Sequence, residues 1–261
     1  MKTFEFKAGR APLLISMPHN GTAIPEDIAA GMHDYAREAL DTDWYMDRLY
    51  DFADEVGASV INPVHSRYVI DLNRPPDGAI LYAGANNTEL CPTSGFDLRP
   101  LYRDGCQPDE AEVARRIAAY WRPYHEQLAA ELARIKAEHG YALLYDAHSI
   151  RSEVPRFFEG RLWDLNLGTA DGTSCAPALQ AQLAAVVSAD AGFSSVVNGR
   201  FKGGYITRHY GQPEQGVHAV QLELSQITYL DEDSHQWRAD KAERIKLRLR
   251  ALIEAMLAWT P

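Results

Sequence analysis

The chain has 261 residues, 46% of them hydrophobic and 24% charged, with a net charge of −10 at pH 7. That length suits one large α/β domain or two small ones, with a core sizeable enough that neither disulfide nor metal is needed merely to fold. The acidic balance speaks against a nucleic-acid partner, and it requires that any anionic small substrate meet a local cluster of Arg or Lys.

In chain order, Met1 to Arg10 carries charge and no apolar run, so a signal peptide is not expected. Residues 12–18, Pro-Leu-Leu-Ile-Ser-Met-Pro, predict a buried strand running into the turn His19-Asn20-Gly21. Residues 41–56 predict a helix, with Asp41 as its cap and Met46, Leu49, Tyr50 and Ala53 at helical spacing. Residues 58–64 are β-branched and extended. Val69 and Ile70 predict a further strand, ended by Pro75-Pro76 and flanked by Arg67 and Arg74, with Asp71 and Asn73 between them. Residues 77–107 are rich in Gly, Pro, Asn, Asp and Thr and predict a long functional loop or lid.

Residues 109–138 carry the strongest helical pattern. Val113, Ile117, Trp121, Tyr124, Leu128, Leu132 and Ile135 share a face, and Pro123 is expected to kink or split the helix. Gly140 stops it. The stretch Tyr141 to Ser149 then predicts a central buried strand of a parallel sheet, ending in Asp146-Ala147-His148-Ser149. An extended backbone points Asp146 and His148 to the same side, as for a metal or proton-transfer site, or for a His simply satisfied by a carboxylate.

Residues 150–175 look irregular. Residues 176–191 predict a helix, and residues 194–198 a short strand. Gly203 to Gly211 predicts either a ligand-facing surface or a turn followed by an exposed strand. Residues 218–225 alternate apolar and polar, with Glu223 among Val220, Leu222 and Leu224. Residues 235–259 predict a long amphipathic helix. The expected fold class is therefore α/β: a three-layer α/β/α arrangement on a mixed sheet, as a single domain over 1–261. Cys91, Cys106 and Cys175 lack C-x-x-C spacing and are odd in number, which argues for reduced cysteines in a cytoplasmic protein. No segment reaches the length of a membrane span.

His19, His148, Asp146, Glu223, Arg67 and Arg74 all fall near predicted strand ends. Two His and one carboxylate with an open fourth position suit a catalytic zinc. A further carboxylate can serve as base, and Arg residues can clamp a substrate carboxylate.

The motifs Ser-Met-Pro-His19-Asn-Gly, Ser66-Arg67-Tyr-Val-Ile-Asp71-Leu-Asn73-Arg74-Pro, Asp146-Ala-His148-Ser149, Gly203-Gly-Tyr-Ile-Thr-Arg208 and Gln221-Leu-Glu223-Leu together resemble the N-formylglutamate amidohydrolase (deformylase) family. They occur in that family's order over about residues 10–230. The resemblance implies hydrolysis of N-formyl-L-glutamate to formate and L-glutamate in histidine degradation. It also implies the phosphorylase/hydrolase-like fold, related to the zinc carboxypeptidases. By the same resemblance, one divalent metal, zinc first, is held by His19, His148 and a carboxylate. His-x-x-Glu, the usual first motif of the wider group, is absent here, so Asp43 takes that place, with Glu26 and Asp41 as competitors. Glu223 is then the general base, Asp146 orients a metal-bound His, and Arg67, Asn73, Arg74, Tyr205 and Arg208 bind the anionic substrate. Two other functions fit the residues: a related metal-dependent amidohydrolase or carboxypeptidase for another N-acyl amino acid, and a non-catalytic binder of acidic amino acids.

Overall fold

The computed structural model describes residues 2–80, 86–189 and 191–261. Its elements in chain order are β1 (Phe4–Lys7), β2 (Leu13–Ser16), α1 (Glu26–Ala29), α2 (Met46–Leu49), β3 (Ser59–Pro63), α3 (Glu110–Arg116) and α4 (Arg122–His139). There follow β4 (Ala142–Ile150), β5 (Leu165–Gly168), α5 (Pro177–Ser188), β6 (Ser195–Val197), α6 (Tyr205–Tyr210) and β7 (Val217–Ser225). A two-stranded ribbon of β8 (Leu230–Asp231) and β9 (Gln236–Trp237) precedes α7 (Ala239–Ala258).

Seven strands form one sheet in the order β1-β3-β2-β4-β7-β5-β6. β3, β2, β4 and β7 run parallel, while β1 and β5 pair antiparallel with β3 and β7. The sheet is thus mixed. Every residue of β4 is buried, as a strand covered on both faces must be. Alternation along it separates two cores: Leu143, Tyr145 and Ala147 pack under α5 and α7, and Ala142 and Leu144 pack under α4. These are the three layers the pattern predicts. No described helix is long and apolar enough to cross a membrane.

The stripe Val113 to Ile135 lies against the second core as expected. Pro123 neither breaks nor cleanly kinks the helix. Residues Ile117–Trp121 form a π-turn just before it, in which Arg122 N–H donates to Ile117 O. A proline has no N–H to return to the preceding turn, and one turn of wider winding absorbs the defect.

Four expectations need correction. Residues 41–56 do not form one helix; only α2 and a 3-10 turn at Asp51–Ala53 are helical. Ala39 and Tyr45 adopt left-handed backbone, and Asp43 N–H donates to His19 O. Asp41 caps nothing; its carboxylate accepts from Phe96 N–H at 2.8 Å. Val69 and Ile70 are buried but lie in a turn, not a strand: Val69 N–H closes onto Ser66 O. Residues 150–175 hide β5, too short and too polar at Asn166 to signal a strand. Residues 205–210 form α6 rather than an exposed strand, because its first turn is capped from a distance: Ile206 N–H donates to Asn73 Oδ1 at 2.8 Å. Of the long loop 77–107, residues 81–85 lie outside the described residues, as does residue 190 at the end of the predicted helix 176–191.

His125 on α4 holds the loop that carries Asp71 and Asn73: its Nε2 lies 2.8 Å from Leu72 O, and its Nδ1 lies 3.0 Å from Tyr210 Oη. Burial lowers its pKa to about 3. The unfolded chain, with an ordinary histidine near 6.5, therefore takes up the proton first, so this contribution is intact above about pH 6.5 and lost as pH falls toward 3. We expect wild type to lose about 1.4 kcal/mol per pH unit in this window relative to His125→Gln, which does not titrate. Urea denaturation of both proteins between pH 6.5 and 4 measures the difference; parallel curves contradict it.

Candidate metal centre

The parallel register sets the site. Ser16 of β2 lies opposite Asp146 of β4, which lies opposite Gln221 of β7, and His148 lies opposite Glu223. His19 follows β2 by one tight turn. These side chains therefore emerge together toward the carboxyl ends of adjacent strands, the side on which open α/β sheets bind ligands. Gly21 allows the turn: a Cβ there would sit 2.3 Å from His65 O. Asn20 then anchors the following segment, since its Oδ1 accepts from Met46 N–H at 3.0 Å. With Asp43 N–H on His19 O, this holds the Asp43 carboxylate between the two imidazoles.

One ligand atom each from His19, Asp43 and His148 lies within 4.8 Å of the others, and all three residues are buried. Asp43 Oδ2 is 3.1 Å from His148 Nδ1 and 3.8 Å from His19 Nδ1, and it accepts from Ser149 N–H at 3.0 Å. The far nitrogen of each ring is braced. His19 Nε2 lies 2.7 Å from Asp71 Oδ1, and His148 Nε2 lies 3.1 Å from Asp146 Oδ2. A carboxylate behind each imidazole is the arrangement that fixes the tautomer and orientation of metal-binding histidines.

The charge balance agrees with that donor set. Asp43, Asp71, Asp146 and Glu223 are all buried, whereas Arg67 is the buried cation beside them. Burial pushes the Glu223 carboxyl up to about 8, with the charge of His148 opposing and that of Asp43 adding. Burial also disfavours the His148 imidazolium, but Asp146 and Asp43 outweigh it and hold its pKa well above the usual range. A proton held on His148 offsets part of that negative excess. Two imidazoles and a carboxylate in a buried anionic pocket fit a divalent ion with mixed nitrogen and oxygen preference.

A cleft opens over the trio, lined also by Arg67, Asn73, Arg74, Phe96, Arg200 and Glu223. Arg67 donates to Asp71 Oδ2 at 2.6 Å. Arg74 Nε and Nη2 donate to Thr88 O and Oγ1.

The sequence pattern of the N-formylglutamate amidohydrolase family matches residues 11–230. The chain belongs to that family. It is 58% identical to the N-formylglutamate deformylase of Pseudomonas aeruginosa and 49% identical to that of Pseudomonas putida, in each case over 99% of this chain and 97% of the relative. The crystal structure of the N-formylglutamate amidohydrolase from Ralstonia eutropha JMP134 superposes with a TM-score of 0.82 at 25% identity, covering 98% of this chain and 97% of that one. A gene product from Agrobacterium tumefaciens shares the fold, with a TM-score of 0.73 at 17% identity over 98% of this chain and 96% of that one.

Against this family frame, the structure brings Asp43 to the two histidines and leaves the competitors elsewhere: Glu26 is exposed on α1, and Asp41 is turned toward Phe96. Asp146 is fully buried behind His148 and is not among the described residues that line the cleft. Asn73 reaches the cleft, but its amide is engaged within the protein. Nδ2 donates to Asp146 Oδ2 at 3.3 Å and lies 2.9 Å from His148 Nε2, while Oδ1 caps α6. Tyr205 and Arg208 are not among the described residues that line the cleft. Tyr205 packs near Trp121 and His125, and Arg208 is exposed, its Nε donating to Gly203 O. Asp71, legible only as one member of a motif, proves to be the brace on His19. Arg200 carried no sequence signal at all.

Gly204 leaves room for Asn73, since a Cβ there would lie 2.3 Å from Asn73 Nδ2. We expect Gly204→Ala to cost roughly 1–3 kcal/mol by overpacking and to displace the Asn73 amide. The consequent misplacement of His148 should lower kcat/KM by about a hundredfold. Melting temperature and steady-state kinetics on the same protein check both; a stable variant with normal kinetics removes Asn73 from the site's support.

Proposed function

We propose that this chain hydrolyses N-formyl-L-glutamate to formate and L-glutamate with one divalent metal, zinc by its donor set, held by His19, Asp43 and His148. Family membership makes the chain a hydrolase of amide C–N bonds. The substrate is supported by the names of the two Pseudomonas relatives. The observation that carries the metal is the buried trio, each imidazole backed by a carboxylate. The place in histidine degradation comes from the family resemblance and the cytoplasmic setting from the cysteine pattern; both belong to the same proposal.

A divalent metal held by His19, Asp43 and His148 would supply Lewis acidity toward the formyl oxygen and would acidify the attacking water. Glu223 takes the proton from the attacking water and delivers it to the departing amine of glutamate. Burial raises its carboxyl to about 8, which suits a group that must both accept and return a proton near neutral pH; a nearby cation brings that value down. Asp71 and Asp146 keep the imidazoles oriented and do not exchange protons with substrate. Arg67 and Arg74 give one wall of the cleft the positive charge that draws a substrate carboxylate into an acidic protein.

We expect purified wild type to hold one equivalent of metal. His19→Ala and His148→Ala should lose metal and activity together, since three protein ligands leave no spare. Asp71→Asn should stay folded but bind metal roughly ten- to a hundredfold more weakly, read by competition with a chelator. Stoichiometric metal in both alanine variants overturns the ligand set.

For the base, Glu223→Gln should keep metal, melting temperature and substrate binding, while formate release falls in kcat by roughly a hundredfold to ten-thousandfold. A folded, metal-loaded variant with near-normal kcat rejects Glu223 as the proton acceptor. Formate release by wild type from N-formyl, N-acetyl and N-succinyl glutamate, followed as the corresponding acid in each case, separates a deformylase from a broader acylase.

A further inference from the structure

The cleft has two cationic walls, and only one has been assigned a task. Arg67 and Arg74 follow β3. Arg200 follows β6, on the opposite side of β4 in the sheet order. β6 runs against β4, and the chain after it folds back beside β5, where Ala170 N–H donates to Lys202 O at 2.6 Å. That return places Arg200 and Phe201 in the cleft wall, across from the β3 side.

The two walls differ in how their cations are engaged. Arg67 donates to Asp71, the brace of His19, and Arg74 follows Asn73, the neighbour of His148. Arg67 is thus linked to His19 through Asp71, and Arg74 to His148 through Asn73, which puts both on the wall beside the proposed reacting amide. Arg200 has no hydrogen bond or ion pair among the described residues, and its Nε is shut off from solvent without a partner. Its guanidinium carbon lies 5.9 Å from the centre of the Phe201 ring, beside an apolar cluster that includes Phe157 and Phe158. A guanidinium that lines a cleft and has no protein acceptor among the described residues offers its remaining N–H groups as a receptor for a planar oxyanion.

We propose that Arg200 is the specificity-determining receptor for the distal, side-chain carboxylate of an N-acyl dicarboxylic amino acid. The inference rests on the proposed amide hydrolysis and adds the subsite that selects the substrate's second charge. The α-carboxylate is one carbon from the scissile nitrogen and so belongs to the near wall of Arg67 and Arg74. The side-chain carboxylate extends beyond it and meets the far wall. Two opposed cationic walls flanking His19, Asp43, His148 and Glu223 thus measure a dianion.

The test compares metal-loaded wild type, Arg200→Gln and Arg200→Lys on N-formyl-L-glutamate and on N-formyl-L-glutamine, which replaces only the distal carboxylate by a neutral amide. We expect the ratio of kcat/KM for glutamate over glutamine substrate to fall about tenfold to a few hundredfold in Arg200→Gln, chiefly through KM. Arg200→Lys should fall less, because it keeps the charge and loses the fork. Melting temperatures and metal content of all three proteins accompany the kinetics, and Arg200→Lys serves as the informative variant if Arg200→Gln does not fold. An unchanged ratio, or equal losses on both substrates, overturns the assignment while leaving the proposed hydrolysis standing. Wild type that releases no formate from N-formyl-L-glutamate overturns the proposed function itself.

Discussion

More negative than positive charge is buried at one end of this sheet, and the rest of the site is arranged around that excess. A carboxylate taken out of water costs several kcal/mol unless partners replace the lost solvation. Asp71 finds His19, Arg67 and the Asn73 N–H; Asp146 finds His148, Asn73, Thr207 and Ser16. Asp43 finds the Ser149 N–H and the Nδ1 face of two imidazoles. Each partner is thereby fixed in turn. The network that satisfies the carboxylates is the same network that aims two histidines at one point.

The sheet makes this possible by fixing the register of three parallel strands. β2, β4 and β7 pair without a slip, so a residue on one has a determined neighbour on the next. A one-residue shift of β7 would carry Glu223 to the other face and leave its carboxylate against the core. The two apolar layers hold that register, one under α4 and the other under α5 and α7. Packing therefore acts on chemistry here through register, far from any reacting atom.

The surrounding loops contribute what the strands cannot. The segment after β3 carries Arg67, Asp71, Asn73 and Arg74 in eight residues, and His125 of α4 grips it at Leu72 O. Asn73 in turn caps α6, and Gly204 stands aside for it. Loop, helix cap and His148 are thus one mechanical unit. The β6 return supplies the opposite wall by a separate route, so charge selection on that side can vary without disturbing the imidazoles.

The sequence by itself determined the three-layer α/β class, the central strand with Asp146 and His148 at its end, the paired strand leading to His19, and Glu223 in an apolar alternation. These are local signals: a period of two, a period of 3.6, and turn residues at their boundaries. Resemblance added the family and singled out Asp43. Tertiary structure alone decided that the segment around Asp43 is not a helix, because its backbone is bound to His19 O and not to its own next turn. It alone decided that α6 is a helix, because its cap lies at Asn73, 133 residues away from Ile206 in sequence. It alone turned Asp71 into a brace, engaged the Asn73 amide within the protein, kept Tyr205 and Arg208 out of the described lining of the cleft and brought Arg200 into it. Partners distant in the chain leave no periodicity to read; their identity is a matter of which atoms the sheet register and the two cores bring within hydrogen-bonding reach.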